Sequence, residues 1–579
     1  MWDRNHKYLN SKFRPSNLKH LNFEPTNEYN KSKEIISSIK IFLRIAKKYN
    51  VKALKYLCEN YQRITLHIEH YININMNKNK DKDSDNYIKC DTLEKFKLCI
   101  INKNYTKACD YAAVALQQFM SLITIINNGN TRLNSYLVDD YMHIIASSAF
   151  RRLQDKAQVY SLEEEDFART RLTHSFEVAA NAEIIATNID FNKLLKSNSN
   201  YQYLNQDIVL IVRCVSLLHD IGNPPYGHFG EEVIKDFFLN DYKKEFKKRK
   251  IKAKNPFYLD FCKFDGNAQA LRIAAKLQYF GNKNGLYLPA AVLGALIKYP
   301  FSSSDAPKSK FGYFASEADL INLLEVFGVF EKNVRNPLAL ILEASDDISY
   351  VTADLEDAIH KRIITIESFE PLKKGDAESN KLYEKIHNFY QENIENKNQL
   401  ETYEDIFEKT MRPIIADIRH DLLMDAVDTF KTNSNLIINK GVECDRVTGK
   451  SFTIVNNLNR YKELYHNLSE ILTAVFNVKD VIINEIKGYD ILKKLLRVFC
   501  DAVVTANCDI KEKTLTNKNQ YYNRILNLIS TDFKNVFFDE ISKKGITSQE
   551  IFYYKMHLVV DYISGMTDSY AYNLYKEIK

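Results

Sequence analysis

Asp207-Ile-Val-Leu-Ile-Val-Arg-Cys-Val-Ser-Leu-Leu-His219-Asp220-Ile-Gly-Asn-Pro-Pro225 decides how this chain folds. Ile208, Val209, Ile211, Val212 and Val215 make one side of the run apolar, which predicts a buried helix. Gly222 and the pair Pro224-Pro225 stop that helix just after His219 and Asp220. An imidazole and a carboxylate are therefore delivered to the end of a buried helix. Adjacent helical residues point about 100° apart, so both can face one ion only at such an edge. Working outward, His174 begins a second helix with apolar Phe176, Val178, Ala179, Ala182 and Ile185. Asp346 lies in a third, opened by Asn336 as N-cap and Pro337 at the first position, and buried through Leu338, Leu340, Ile341, Leu342 and Ala344. A lone His or Asp on an apolar helix is usually a hydrogen-bonded core residue. Two imidazoles and two carboxylates form a mixed N/O set suited to a hard or borderline divalent ion such as Mg2+, Mn2+, Fe2+ or Zn2+. Three buried helices make a plausible bundle-core site for them.

Composition agrees with a helical, globular chain. Of 579 residues only 16 are Gly and 11 Pro, and apolar residues recur at three- and four-residue spacing in most segments. Residues 33–75 and 91–128 read as helices separated by a polar loop at 77–85, and a further polar break falls at 196–200. The region beyond about 370 reads as more helices, with an irregular stretch at 441–451. Lys+Arg minus Asp+Glu is 80 − 74 = +6, a balance that suits an anionic ligand without establishing one. Eight Lys/Arg residues between Lys243 and Lys254 read first as a solvated basic face and second as a single-strand nucleic-acid contact. The nine cysteines show no CxxC pair, which points to reduced thiols and a cytoplasmic location. The N-terminus lacks the apolar stretch of a signal peptide, and no run approaches the roughly 18 apolar residues of a membrane span.

Several further segments give the chain a family resemblance. They are 147–159 (Ser-Ser-Ala-Phe-Arg-Arg-Leu-Gln-Asp-Lys-Ala-Gln-Val), Arg169-Thr-Arg-Leu-Thr-His-Ser175, and His219-Asp-Ile-Gly-Asn-Pro-Pro-Tyr-Gly-His-Phe-Gly-Glu231. Phe264-Asp-Gly-Asn-Ala-Gln269, Leu296-Ile-Lys-Tyr-Pro300, Glu343-Ala-Ser-Asp-Asp-Ile-Ser-Tyr350 and Gly565-Met-Thr-Asp-Ser-Tyr-Ala571 continue the series. With these, the chain resembles the HD-domain phosphohydrolases, and among them the bacterial deoxyguanosinetriphosphate triphosphohydrolases. The match is dense over 140–360. It does not extend to the first 130 or so residues, the 240–254 stretch or much of 370–550.

The resemblance implies a mainly α protein. A helical N-terminal extension would span 1–135, an HD phosphohydrolase core 136–365, and a helical region 366–579 would complete the substrate pocket and oligomer contacts. It implies that dGTP and water give deoxyguanosine and triphosphate, with attack at the α-phosphorus. His174, His219, Asp220 and Asp346 would hold Mn2+ or Mg2+, with Fe2+ or Zn2+ as alternatives. His228 and Glu231 match the family's catalytic pair, and three-residue spacing on a helix would let the carboxylate orient the imidazole. Arg171 matches a phosphate ligand, and Lys298-Tyr299 is the next candidate pair. Tyr350 and Asp354, four and eight residues past Asp346, would select deoxyribose. Gln158 is a sugar or base contact, and Asn267 and Gln269 could bridge phosphate or water. The resemblance further implies a homo-oligomer, with a hexamer as its family form, and a dNTP effector.

The alternatives are an HD phosphohydrolase of another nucleotide (another dNTP, a cyclic or a signalling nucleotide), or a non-enzymatic nucleotide- or single-strand-binding regulator. Two weaker signals fail. Gly449-Lys450-Ser451 lacks the glycine that a phosphate-binding loop needs five residues earlier, where Cys444 stands. His67-Ile-Glu-His70 has too few partners for a metal site.

Overall fold

The computed structural model describes residues 134–578, apart from 159–168, 195–203, 279–284 and positions 309, 327, 446, 474, 476, 477 and 544. The helices expected at 33–75 and 91–128, the loop at 77–85, the His67–His70 pair and the break at 196–200 lie outside the described residues.

The described chain is mainly helical, as expected. Its helices include α1 (Asn134–Ala146), α2 (Arg171–Thr187), α3 (Leu204–Leu218), α4 (Gly227–Asp236), α5 (Pro256–Cys262), α6 (Gly266–Arg272) and α7 (Ala290–Leu296). They continue with α8 (Pro337–His360), α9 (Tyr403–Thr432), α10 (Lys462–Leu472), α11 (Lys479–Val504), α12 (Thr531–Ile541), α13 (Ser548–Ser564) and α14 (Asp568–Ile578). The described residues within 137–196, 204–317 and 331–579 group as one compact unit. Residues 318–330 group apart from it; there the helix Ala318–Val326 is followed by Gly328 with φ 67°.

Three helices frame the site. α2 lies along α3, and α8 packs on α2 and α9. Val212, Cys214, Val215, Leu217 and Leu218 of α3 are fully buried, as are Val178, Ala182 and Ile185 of α2. Each of the Val, Leu and Ile side chains among them contributes about 1.5–3 kcal/mol relative to exposure. Phe176 departs from the expected buried face of α2: it is 42% exposed, edge-on to Phe150 at 5.5 Å. The apolar period of α2 had already been satisfied by Val178 and Ala182, so Phe176 falls at the rim.

Helix ends follow local chemistry. Thr170 and Thr173 form a reciprocal capping box at α2, and the Asn336 side chain accepts from Leu338 N–H with Pro337 in the first turn of α8. α3 stops at Leu218, and His219 and Asp220 occupy the turn that follows. Gly222 lets that turn touch the start of α6: a Cβ there would stand 2.0 Å from Gly266 O and 2.3 Å from Ala270 N. Tyr226, at φ 63°, turns the chain into α4.

The C-terminal helices belong to the same unit. α4 packs on α11, and α13 packs on α5, α11 and α12. Two short antiparallel pairs, not foreseen from sequence, complete the fold: Val334–Arg335 with Val442–Glu443, and Asn507–Asp509 with Thr514–Thr516. Much of the basic 243–254 stretch is tied to this body. Phe246 and Ile251 are buried, and the Arg249 guanidinium lies 4.2 Å from the Phe552 ring centroid.

Candidate active site

His219 leaves α3 with its ring already oriented. Its Nδ1 lies 2.7 Å from the carbonyl oxygen of Ser216. A carbonyl can only accept, so Nδ1 carries the proton and Nε2 keeps a lone pair. That Nε2 is buried without a hydrogen-bond partner. It stands 3.5 Å from Asp220 Oδ1 and 3.6 Å from Asp346 Oδ1. His174, from the first turn of α2, brings Nε2 to 3.2 Å from the same Asp346 oxygen. Ligand atoms of His174, His219 and Asp220 all lie within 4.8 Å of one another. A buried, unpartnered imidazole nitrogen facing carboxylate oxygens is the donor set a divalent cation fits.

The surrounding charges keep the cluster's carboxylates ionised, the form in which they can ligate a cation. Burial alone would push the Asp220 carboxyl up, but Arg171, His219 and His174 outweigh it and hold Asp220 well below the usual carboxylate range. Asp346 behaves likewise, with His219 and Lys298 overcoming burial. Burial works against charge on His174, yet Asp346 raises its pKa. The next residue along α8 differs: Asp347 is pushed up to about 7, by burial first. Of the adjacent pair, Asp346 is the one turned to the imidazoles.

Two cations grip the carboxylates from behind. Arg171 Nη1 donates to Asp220 Oδ2 at 2.7 Å, while Asn223 Nδ2 donates to Asp220 Oδ1 at 2.5 Å. Arg171 is 3% exposed, and Gly227 makes room for it: a Cβ there would meet Arg171 Nη2 at 2.4 Å. Lys298, just past α7, reaches Asp346 Oδ2 at 3.4 Å. Both residues expected to meet phosphate thus also neutralise the carboxylates of the cluster.

His228 and Glu231 lie one turn apart on α4, with His228 Nδ1 3.6 Å from Glu231 Oε2. The imidazole is 76% exposed and the carboxylate 2%. Glu231 Oε1 accepts from Gly266 N–H at 2.8 Å. Burial would raise its pKa, but His228, Lys310 and Lys235 bring it down to about 2, so it is an anion.

The remaining expected residues are placed as follows. Tyr350 and Asp354 follow Asp346 along α8. Both Asp354 oxygens are buried without a hydrogen-bond partner, and burial pushes its carboxyl up to about 7. Gln158 also has a buried side-chain oxygen without a partner. Tyr299 adjoins Lys298, its phenol pushed up by burial. Asn267 Nδ2 donates to Asp265 Oδ1 at 2.8 Å, within the cap of α6. Gln269 is fully buried and donates to Asp561 Oδ1 at 3.0 Å, in an ion network with Arg272.

Sequence reasoning did not single out Lys310, whose ammonium is 3.6 Å from Glu231 Oε2; a lysine in a polar loop carries no signal. It also passed over Asn223 and Lys156, although both lie inside segments that carried the resemblance. Lys156 donates to Asn223 O at 2.5 Å and Ser564 O at 2.8 Å, and burial lowers its pKa to about 7.

Comparison with known proteins agrees with this geometry. Residues 171–277 match the HD domain and residues 494–577 the phosphohydrolase-associated domain. A deoxyguanosinetriphosphate triphosphohydrolase-like protein of Listeria monocytogenes is 34% identical over 467 residues, 78% of this chain and 96% of that protein. The deoxyguanosinetriphosphate triphosphohydrolases of Salmonella paratyphi A and Enterobacter sp. are each 30% identical, over 76% of this chain and 92% of theirs. With both domains matched and nearly the whole length of these relatives covered, the chain belongs to the deoxyguanosinetriphosphate triphosphohydrolase family of HD-domain phosphohydrolases.

Proposed function

We propose that this protein hydrolyses deoxynucleoside triphosphates, dGTP foremost, to deoxynucleoside and intact triphosphate by attack of water at the α-phosphorus. The observation that carries this is the meeting of His174, His219, Asp220 and Asp346, from three helices, beside Arg171 and Lys298. The names of the relatives point to the same substrate. Those four residues would hold Mn2+ or Mg2+, which when bound supplies a more acidic water and charge neutralisation at phosphoryl oxygens.

The chain's own residues supply the rest. The Ser216 carbonyl keeps His219 in one tautomer, and Arg171 with Asn223 fixes the Asp220 carboxylate. Glu231, ionised and anchored by Gly266 N–H, attracts the Nδ1 proton of His228. Nε2 of His228 is then free to take a proton from the attacking water and return it to the 5′-oxygen as the α-phosphorus–oxygen bond breaks. The attacking oxygen ends in the triphosphate, and the deoxynucleoside leaves as an alcohol. Asp354, buried and unpartnered, suits the 3′-hydroxyl, and the Tyr350 ring would leave no room for a 2′-hydroxyl.

Anion-exchange analysis of products from each dNTP and from GTP, in Mn2+ and then Mg2+, tests this. Deoxynucleoside and triphosphate, formed fastest from dGTP and not from GTP, is the expected outcome. Pyrophosphate with monophosphate would overturn the assigned bond. No turnover of any nucleotide would favour a binding regulator.

A further inference from the structure

The turn 221–227 joins the two halves of the chemistry, with Asp220 of the metal cluster just before it and His228 just after it. Two of its backbone groups are held from distant parts of the chain. Lys156, 3% exposed, donates to Asn223 O at 2.5 Å and to Ser564 O, at the end of α13, at 2.8 Å. The same Asn223 reaches the metal cluster, where its Nδ2 donates to Asp220 Oδ1 at 2.5 Å. Further along the turn, Tyr226 N–H donates to Asp568 Oδ1 at 3.0 Å. The other oxygen of Asp568, Oδ2, accepts from Ala157 N–H at 3.2 Å. Asp568 opens α14 and is 2% exposed.

Both residue types suit the contacts they make. An ammonium has three protons to give and can hold two carbonyls at once, whereas a carboxylate accepts on both oxygens and an amide on one only. Tyr226 needs such a hold: it stands at φ 63° as the N-cap of α4, and its side chain makes no capping bond. A bulky residue in that region keeps its conformation only where the surroundings impose it. Asp568 imposes it through the N–H, and α11 does so through the ring, since a Cβ on Gly488 would stand 2.8 Å from the Tyr226 ring. Ser564 and Asp568 lie in the segment that matches the phosphohydrolase-associated domain, Asn223 and Tyr226 in the segment that matches the HD domain. Neither Lys156 nor Asp568 takes part in the proton transfers described above.

We propose that Lys156 and Asp568 are positioning residues that clamp this turn at two points, Lys156 setting Asp220 through Asn223 and Asp568 setting His228 through Tyr226. The C-terminal segment thereby keeps the metal half and the acid–base half of the site in register, each half by its own contact. The assignment rests on the phosphohydrolase reading of Asp220 and His228.

The test uses full-length wild type, Lys156→Met, Asp568→Asn and Gly488→Ala. Mn2+ affinity is read by calorimetry, and kcat for dGTP is followed as Mn2+ is raised. Lys156→Met fills the same buried space without a donor. It should bind Mn2+ about 10-fold more weakly, as loss of an outer-shell contact does, and should recover kcat at high Mn2+. Asp568→Asn can accept only one of its two N–H groups. It should bind Mn2+ as wild type does, with kcat about 10²-fold lower, the cost of a small misplacement of a reacting group, and added Mn2+ should not restore it. Gly488→Ala presses on Tyr226 from α11 while favouring the helix itself, so it should repeat the Asp568→Asn pattern in a chain that folds. Parallel loss of Mn2+ affinity and kcat in all three variants would reduce these contacts to general stability and overturn the proposal. Wild-type values of both quantities in Lys156→Met or in Asp568→Asn would overturn it too, while leaving the hydrolase intact. A wild type that binds Mn2+ but does not turn over dGTP would overturn the hydrolase reading and the role of Asp568 with it; Mn2+ affinity in Lys156→Met would still decide the role of Lys156.

Discussion

Asp220 and His228 separate two tasks that the site performs. Asp220 is buried and held by Arg171 and Asn223 within the imidazole cluster, so Asp220→Ala should abolish both Mn2+ binding, measured by calorimetry, and turnover. Retained stoichiometric metal in that variant would remove Asp220 from the ligand set. His228 is largely exposed. His228→Ala should keep metal and nucleotide binding and lose turnover by about 10²–10⁴-fold, the usual worth of a positioned acid–base group; undiminished kcat would exclude it from proton transfer. At this scale the sequence was legible where a chemical residue abutted a helix signal. His219 and Asp220 follow an apolar run, and Asp346 lies on a helix with a readable cap. Lys310 and Lys156 were not legible, because what they do depends on which distant atoms fold against them.

Helices were legible by period and by cap, as Asn336-Pro337 illustrates. The two short strand pairs were not, since two or three residues carry no alternation and their pairing is set by the surrounding fold. Contacts between elements were equally hidden. Asp260 on α5 is fully buried and accepts from Ser303 Oγ, Ala315 N–H and the Tyr553 hydroxyl of α13. Burial nevertheless pushes its carboxyl up to about 7. The folded state therefore keeps a proton that the unfolded chain releases near pH 4. Its contribution is fully present below about pH 4 and is lost as pH rises to about 7, a change on the order of 4 kcal/mol. Denaturant titrations across that range should show a smaller loss of stability in Asp260→Asn than in wild type. Parallel losses would mean that Asp260 titrates as it does in water.

Across the whole molecule, the matched HD segment is tied to the C-terminal helices by buried charge. Arg272, 2% exposed, donates to both oxygens of Asp561, 289 residues away, at 2.8 and 2.7 Å, and to Glu317 at 2.9 Å. Lys276 joins Glu317 at 3.0 Å and Glu540 at 3.2 Å. Removing one partner leaves a buried charge uncompensated, so Asp561→Ala should cost about 3–5 kcal/mol in equilibrium unfolding; a loss below about 1 kcal/mol would place the network in water. No local pattern in the sequence announces such a pairing. Among the described residues no helix is long and apolar enough to cross a membrane. The central claim is the bond that breaks, and hydrolysis of dGTP in H2 18O addresses it most directly. The account predicts one 18O in the triphosphate and none in deoxyguanosine; label in the deoxyguanosine, or in a nucleoside monophosphate or pyrophosphate, would contradict it.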